Sequence, residues 1–179
     1  MPRRLMLLLV VAIFAVAVTA GAQPAAKAKG ALITLEKGGE IAIEFYPADA
    51  PKTVENFVKL AGQGFYDGTT FHRVVPGFVA QGGDPLSKTL PPGDRQIGTG
   101  SPGYSIKAEF NKRKHDRGAL AMARSQDPDS AGSQFYITLA PAYQLDGNYT
   151  VFGRVTSGMN VVDGIRIGDK IKSLKIVGP

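Results

Sequence analysis

Short stretches in which hydrophobic and polar residues alternate recur along the chain, and this period of two is typical of half-buried β-strands. The first stretch, residues 31–45, is interrupted by Lys37-Gly38-Gly39 and therefore predicts a β-hairpin. Further strands are predicted at residues 70–75, 78–82, 118–123, 133–139, 150–155 and 171–177. The chain is therefore predicted to be mainly β, with a closed or nearly closed sheet, although periodicity alone does not separate a barrel from a sandwich.

Two segments follow a helical period instead. Apolar residues at positions 54, 57, 58 and 61 lie at helical spacing, and Asp49 stands where the N-cap of this helix is expected. A second, short helix is predicted at residues 159–165. Residues 86–103 follow neither period and are rich in proline and glycine, so they predict a long surface loop of the kind that often carries function.

The N-terminus has the composition of a targeting segment. Two arginines precede an unbroken apolar run at residues 5–18, and Ala20-Gly21-Ala22 supplies small residues at the positions that determine cleavage. This pattern predicts a secretory signal peptide, residues 1–22, that is removed before Gln23. The alternative is a membrane anchor, but the apolar run is shorter than the roughly 20 residues that a membrane-spanning helix needs. No stable membrane insertion is expected after cleavage.

The remaining chain is long enough for a single core. We predict a short disordered leader at residues 23–30 and one domain at residues 31–179. The mature protein is expected to be a monomer outside the cytoplasm, periplasmic in a cell with two membranes or secreted from a cell with one.

Composition argues against several kinds of chemistry. The chain has no cysteine and 2 histidines, so thiolate catalysis and a zinc site are not expected. The formal charge of +6 is spread along the sequence, and the densest basic cluster, residues 112–115, is followed at once by Asp116, as in an ordinary solvated loop. Nucleic-acid binding is not expected, because it needs a sustained basic surface.

Two further motifs match a known pattern in the wrong context. Residues 98–103 read GxGxxG, but they follow a proline- and glycine-rich loop and precede a strand-like segment, so they are interpreted as a glycine-rich loop wall. Residues 127–132 begin like a calcium loop but offer Ala131 and Thr138 where oxygen and bidentate glutamate ligands are required, and they are interpreted as a polar turn. His72 is interpreted as a hydrogen-bonded core histidine.

Residues 71–84, FHRVVPGFVAQGGD, combine one arginine with apolar neighbours and a glutamine eight positions later. Arg73 stays charged at any accessible pH, and a floor built from Phe71, Val75, Phe78 and Val79 would strengthen its hydrogen bonds. A site without a nucleophile suits the X-Pro bond, whose isomers lie within about 1 kcal/mol but are separated by a barrier of roughly 18–20 kcal/mol. A donor at the prolyl nitrogen would bind the twisted transition state better than either isomer.

Three motifs, in this order, closely resemble the cyclophilin-type peptidyl-prolyl isomerases. They are FHRVVPGFVAQGGD, AMARSQDPDSAGSQFYI at residues 121–137 and LDGNYTVFGRV at residues 145–155. The resemblance extends from residue 31 to about residue 177. It implies a closed eight-stranded antiparallel β-barrel capped by two α-helices, and a reaction that needs neither cofactor nor metal.

The same resemblance implies a set of site residues. Arg73 and Gln81 correspond to catalytic positions, and Gln81 is expected to hold both the substrate carbonyl and the arginine. The substrate-binding positions correspond to Phe78, Val79, Ala123, Arg124, Ser125, Gln134, Tyr136, Leu145 and Tyr149. Tyr136, Tyr149 and Arg124 stand where phenylalanine, histidine and asparagine are common in the family.

The sequence therefore predicts a peptidyl-prolyl cis-trans isomerase that acts on proline-containing unfolded or flexible polypeptides and assists folding outside the cytoplasm. The alternative is a non-catalytic proline-peptide binding module or a chaperone-like holdase with the same groove. The two functions differ in rate, because only the enzyme needs Arg73 to stabilise the twisted bond.

Overall fold

The computed structural model describes residues 28–178, which contain eight β-strands in one antiparallel sheet and two α-helices. In chain order the elements are β1 (Gly30–Leu35), β2 (Glu40–Phe45), α1 (Pro51–Gly62), β3 (Arg73–Val75), β4 (Val79–Gly82), β5 (Ala119–Met122), β6 (Phe135–Thr138), β7 (Val151–Ser157), α2 (Met159–Asp163) and β8 (Ile171–Val177). The strands are arranged in the order β3-β4-β6-β5-β7-β2-β1-β8. No helix within residues 28–178 is long and apolar enough to cross a bilayer.

Every strand and helix predicted from periodicity is present, with ends that differ by a few residues. The predicted signal peptide lies outside the described residues. The predicted leader is wrong at its C-terminal end, because Gly30 already belongs to β1 and pairs with Glu44 and Val177. The Lys29 backbone also bonds to both neighbouring strands, so the ordered sheet includes residues that sequence composition assigned to a disordered segment.

The sheet is a half-barrel, so the prediction of a closed barrel overstated its closure. β3 and β8 are the two edges, and the only ladder contact across them in the described chain is the isolated bridge between Thr70 and Lys170. Hydrogen bonds from Phe71 N–H to the Asp169 carbonyl (2.9 Å) and from Ile171 N–H to the Thr69 carbonyl (2.8 Å) reinforce it. β3 is too short to pair along β8, because Pro76 and the next residue turn the chain into β4 after three residues.

Helix α1 supplies the centre of the main core. Phe57 is fully buried, and its ring lies 4.8 Å from that of Tyr66, 5.1 Å from that of Phe152 and 5.5 Å from that of Phe135. Such edge-to-face and tilted aromatic pairs contribute about 0.5–1.5 kcal/mol each beyond the area they bury. A cluster of aromatic rings around one helical residue therefore forms the centre of the core, and aliphatic side chains fill the rest of it.

A second, smaller apolar cluster lies on the opposite face of the sheet. Successive residues of a strand point to opposite faces, so β6 directs Phe135 into the main core and Tyr136 into the second cluster. Neighbouring strands divide in the same way. Their buried residues in the second cluster are Val79, Ala119, Ala121 and Val151. This second cluster is where the sequence-predicted binding residues gather.

The prediction that Asp49 caps α1 is wrong. The N-cap is Ala50, which has no side-chain cap, and the Asp49 carboxylate pairs instead with Arg113 at 2.8 Å. The cap comes from Glu109, which accepts hydrogen bonds from Lys52 N–H at 3.0 Å and from the backbone and hydroxyl of Thr53, both at 2.7 Å. A residue more than fifty positions away thus satisfies the free N–H groups of the first helical turn, where a negative charge is also favoured by the helix dipole.

We expect Glu109→Ala to lower the free energy of unfolding by about 1–2 kcal/mol, the usual cost of removing a helix cap. Urea denaturation of the purified variant measures this loss. Glu55→Ala is the matched control, because Glu55 lies on the same helix but its only ion pair, with Lys52, is exposed. Equal losses in the two variants would contradict the capping role of Glu109.

Candidate active site

One row of side chains crosses the sheet on the face of the second cluster. Arg73 of β3 lies directly opposite Gln81 of β4, which lies opposite Tyr136 of β6, which lies opposite Ala121 of β5. Side chains that face each other in antiparallel strands have Cβ atoms about 4.5–5.5 Å apart and lie on the same face. The register thus places a cation, an amide and an aromatic ring side by side.

The apolar part of the site surrounds Tyr136. Val79 and Tyr136 are buried, whereas Phe78, Ala123, Leu145 and Tyr149 are half-buried and pack against the same cluster. The rings of Tyr136 and Tyr149 meet edge to face, with centroids 5.8 Å apart. Burial raises the pKa of the Tyr136 phenol, and Tyr149 adds to the shift, so Tyr136 remains a neutral hydroxyl. The arrangement suits a small apolar ring.

A polar pocket of about 350 Å³ adjoins the row at Gln81 and Gln134. The Gln81 Nε2 donates to the Gln134 Oε1 at 3.0 Å, and the Gln134 Nε2 donates to the carbonyls of Gly98 (3.0 Å) and Gly100 (2.9 Å). The other walls of the polar pocket include Ala123, Arg124, Ser125, Thr99 and Ser101. The GxGxxG segment is therefore confirmed as a loop wall, and the two glutamines join it to the row.

Arg73 is exposed and has no counter-ion among the described residues. The arginine ion pairs within residues 28–178 involve Arg113, Arg117 and Arg154, and Arg73 is not among them. The expectation that Gln81 holds the arginine is not supported, because no side-chain hydrogen bond joins Arg73 to Gln81 among the described residues, and the Gln81 Nε2 donates to Gln134. The Arg73 guanidinium therefore retains its N–H donors for a bound molecule.

The outer binding residues form a separate corner held by hydrogen bonds. The Arg124 Nε and Nη2 donate to the Asn148 carbonyl at 3.0 and 2.8 Å, and the guanidinium carbon lies 4.6 Å from the centre of the Tyr149 ring. The neighbouring Ser125 is exposed and bonds to Ser130. Every predicted site residue thus lies in the apolar cluster, in the polar pocket or in the row, and the polar turn at residues 127–132 supports the corner.

Two sequence-based interpretations near Arg73 are corrected. Phe71 is not part of the floor, because it is fully buried in the main core with its ring 6.1 Å from that of Phe135. The predicted hydrogen bonds of His72 are absent, since both of its ring nitrogens are buried without a partner among the described residues. Burial also lowers the pKa of His72, which favours the neutral ring.

Sequence reasoning missed two residues beneath the site. His115, assigned to a solvated loop from its basic neighbours, is fully buried with its Nε2 3.0 Å from the Tyr136 hydroxyl and its Nδ1 2.9 Å from an Asp146 carboxylate oxygen. Local sequence gave no signal for His115, because the three preceding residues are exposed cations. For Asp146 a signal existed, since it directly follows the predicted pocket residue Leu145.

The polar loop wall depends on a buried acid. Asp84 is fully buried, and its Oδ1 accepts from Leu86 N–H at 2.7 Å, while its Oδ2 accepts from the N–H groups of Gly98 and Gly100. A Cβ atom at Gly100 would lie 2.0 Å from the carboxylate, so only glycine fits there. The carboxylate therefore fixes the position of the loop that faces Gln134.

Comparison with known proteins was consistent at the levels of sequence and structure. A family profile described as "Cyclophilin type peptidyl-prolyl cis-trans isomerase/CLD" matches residues 31–177. The chain is 49% identical over 146 residues to peptidyl-prolyl cis-trans isomerase B of Bacillus subtilis, an alignment that covers 80% of this chain and 95% of that protein. It is 46% identical over 152 residues to a peptidyl-prolyl cis-trans isomerase of Helicobacter pylori, covering 82% of this chain and 87% of that protein.

The fold is also similar to solved structures. A cyclophilin type peptidyl-prolyl cis-trans isomerase of Cryptosporidium parvum, crystallised in the presence of the dipeptide Ala-Pro, matches with a TM-score of 0.72 and 31% identity. That match covers 84% of this chain and 99% of the other. Cyclophilin AquaCyp293 of Hirschia baltica matches in fold with a TM-score of 0.71 at 24% identity, covering 83% of this chain and 74% of the other.

We expect Asp84→Asn to lower the free energy of unfolding by about 2–3 kcal/mol, because an amide group would oppose backbone N–H donors in a buried site. Asp94→Asn is the matched control, since the Asp94 Oδ1 makes a similar bond to Gln96 N–H, at 2.9 Å, on the exposed part of the same loop. Thermal denaturation of both variants tests this prediction. A loss in Asp84→Asn no larger than in the control would show that the carboxylate does not organise the loop.

Proposed function

This chain belongs to the cyclophilin-type peptidyl-prolyl cis-trans isomerases, and we propose that its reaction takes place on the row of Arg73, Gln81 and Tyr136. Membership makes the protein an isomerase of X-Pro peptide bonds. What the proposal adds is the role of each side chain. The observation that carries it is the guanidinium of Arg73, which has no counter-ion among residues 28–178 and lies in a single cross-strand row with the apolar cluster.

The apolar cluster is the seat of the proline ring in this proposal. Phe78, Val79, Tyr136 and Leu145 together offer a surface that excludes water from one side of the ring. The Cryptosporidium parvum relative was crystallised in the presence of Ala-Pro, which supports a proline-containing ligand for this groove. The adjoining edge at residues 123–125 and the polar pocket would take the neighbouring backbone and side chains of the polypeptide, and Gln81 would hold the substrate carbonyl.

Arg73 acts on the bond that twists. As the X-Pro amide leaves planarity, resonance is lost and the nitrogen lone pair becomes an available hydrogen-bond acceptor. A guanidinium N–H directed at that nitrogen stabilises the twisted state and neither planar isomer, which is the requirement for lowering a barrier. No covalent bond is made or broken, so the step needs only a donor that is already charged and in place.

The natural substrates follow from the predicted export. A chain that loses residues 1–22 during translocation would meet proline-containing polypeptides that are unfolded or flexible outside the cytoplasm. Its isomerase activity would there accelerate the slow proline-limited steps of folding, which otherwise take tens to hundreds of seconds. We propose that the protein acts as a folding assistant in the periplasm, or as a secreted enzyme in a cell with one membrane.

Arg73→Ala is expected to reduce kcat/KM on a proline tetrapeptide by about 10²–10³-fold, the usual cost of removing a preorganised donor to a developing charge. Arg73→Lys is expected to restore little activity, because a point charge lacks the planar fork of donors. A protease-coupled or NMR exchange assay gives the rate, and peptide titration of the same variants separates catalysis from binding.

The matched control is Arg154→Ala, since Arg154 is an exposed arginine on β7 that pairs with Glu44 of β2, and β6 and β5 separate it from Gln81 of β4. Its activity should equal that of the unmodified protein. Near-normal activity in Arg73→Ala would contradict the proposed mechanism. A protein that binds proline peptides but shows no Arg73-dependent rate would instead support the holdase alternative.

The export proposal predicts that the mature protein begins at Gln23, because Ala20-Gly21-Ala22 is the small-x-small site directly after the apolar run. Intact-mass measurement or N-terminal sequencing of protein recovered from outside the cytoplasm tests this prediction. A blocked site is the control, and Ala22→Leu should prevent cleavage there. Full-length protein that sediments with membranes would show that the segment is retained.

A further inference from the structure

His115 makes four polar contacts that join the floor of the apolar pocket to its wall. Its Nδ1 lies 2.9 Å from the Asp146 Oδ1, and its Nε2 lies 3.0 Å from the Tyr136 hydroxyl. Its backbone N–H donates to the same Asp146 oxygen at 2.9 Å, and its carbonyl accepts from Ala142 N–H at 2.8 Å. The residue has no exposed surface, so water does not compete for these bonds.

For a neutral His115 ring, the carboxylate partner of Nδ1 determines the direction of both ring bonds. The Asp146 Oδ2 also forms an ion pair with the Lys114 Nζ at 3.0 Å. Partial burial raises the pKa of Asp146, but the hydrogen bonds from the backbone and ring of His115 and from Lys114 outweigh it and lower the pKa to about 2. An ionised carboxylate only accepts, so the proton of a neutral His115 ring lies on Nδ1. The Nε2 is then an acceptor, and the Tyr136 hydroxyl donates to it.

The two ends of this chain of bonds reach different parts of the pocket. Tyr136 is the aromatic floor in the middle of the sheet, in the row with Gln81 and Arg73. Asp146 belongs to the connection between β6 and β7, which also supplies Leu145 and Tyr149 as walls. The imidazole is stacked nearly parallel to the Tyr136 ring at 6.0 Å, and it meets the Tyr149 ring edge on at 6.5 Å. One buried side chain therefore touches the floor and the wall.

We propose that His115 is a positioning residue that, through Asp146 and the Tyr136 hydroxyl, holds the floor and the wall of the proline pocket at a fixed separation. The inference rests on the proposed function, because it assigns the proline ring to this pocket. His115 has no exposed surface and therefore does not touch the substrate itself, and its Nε2 lies within hydrogen-bond distance of the hydroxyl on the Tyr136 ring. Its effect on catalysis is exerted through the position of that ring.

The presence of a tyrosine at the floor is the reason a positioning residue is needed. A phenolic hydroxyl buried without a partner is costly, so the ring would shift toward any position that lets the hydroxyl reach a partner. With His115 as acceptor, the hydroxyl has its partner in the observed position of the ring, and that position is therefore the low-energy one. Loss of the acceptor should therefore harm peptide binding more than loss of the hydroxyl itself.

The first test reads the bonds directly and does not depend on activity. The chain has 2 histidines, so the ring nitrogens of 15N-labelled protein give a simple NMR spectrum in which His72→Gln identifies the His115 signals. We expect the Nδ1-protonated tautomer for His115, and an altered Nε2 chemical shift in Tyr136→Phe. A proton on Nε2, or a His115 spectrum that Tyr136→Phe leaves unchanged, would overturn the proposal.

The second test measures coupling in catalysis. Tyr136→Phe should raise KM by about two- to tenfold with little change in kcat, because one hydrogen bond that serves binding equally in all states is lost. His115→Leu should lower kcat/KM further, and adding Tyr136→Phe to it should restore part of the loss by removing the unpaired hydroxyl. Losses that simply multiply in the double variant would contradict a shared role. Asp146→Asn provides a milder third variant if His115→Leu does not fold.

Tyr66→Phe is the matched control for a merely structural effect. The Tyr66 hydroxyl is also buried and donates to the Ser133 carbonyl at 3.2 Å, but it lies in the main core. This variant should lose stability and keep kcat/KM within about twofold, in line with the loss of a single buried hydrogen bond. If the unmodified protein itself has no isomerase activity, the proposed function fails, and the NMR experiment still decides whether the bonds exist.

Discussion

The register of the strands β3, β4, β6 and β5 is the constraint on which the rest of the site depends. Because side chains alternate with a period of two, the same four strands send one set of residues into the aromatic core and the other set into the binding face. A slip of one residue at β4 would bury Gln81 and expose Ala80. The apolar packing of the interior thus fixes the register, and the register aligns Arg73 with the pocket.

Buried and half-buried polar side chains hold the loops in position, as apolar packing holds the strands. Gln134 donates hydrogen bonds to the carbonyls of the glycine-rich segment and thereby connects this segment to the row. Asp84 accepts hydrogen bonds from the N–H groups of the same segment. Glu109 performs the equivalent task at the start of α1. Loops carry few apolar contacts, so a small number of satisfied, buried hydrogen-bonding groups determines their position. The walls of the site are therefore as well defined as its floor.

Periodicity predicted the strands and helices because it reports which local residues face a common interior. Arg73 and Gln81 were singled out by their apolar setting, whereas most of the other pocket residues came from the resemblance of three motifs to a known family. Local sequence failed where a long-range contact overrides the local pattern. Asp49 has the composition of an N-cap but pairs with Arg113, and His115 follows three exposed cations yet is completely buried. Closure of the barrel was overestimated for a related reason, because strand periodicity does not show whether two edges meet.

The tyrosine at the pocket floor illustrates how a single polar atom can constrain a site. A phenylalanine at position 136 would pack in the apolar cluster and would need no hydrogen-bond partner among the residues beneath it. The hydroxyl of Tyr136 requires a buried hydrogen-bond partner. A neutral imidazole can accept this hydrogen bond at one ring nitrogen only if the other ring nitrogen carries the proton, and that N–H then needs an acceptor of its own. The Asp146 carboxylate accepts the hydrogen bond from His115 Nδ1–H, and Asp146 belongs to the connection that also bears Leu145 and Tyr149. The Tyr136 hydroxyl is thus linked through the side chains of His115 and Asp146 to the wall of the pocket.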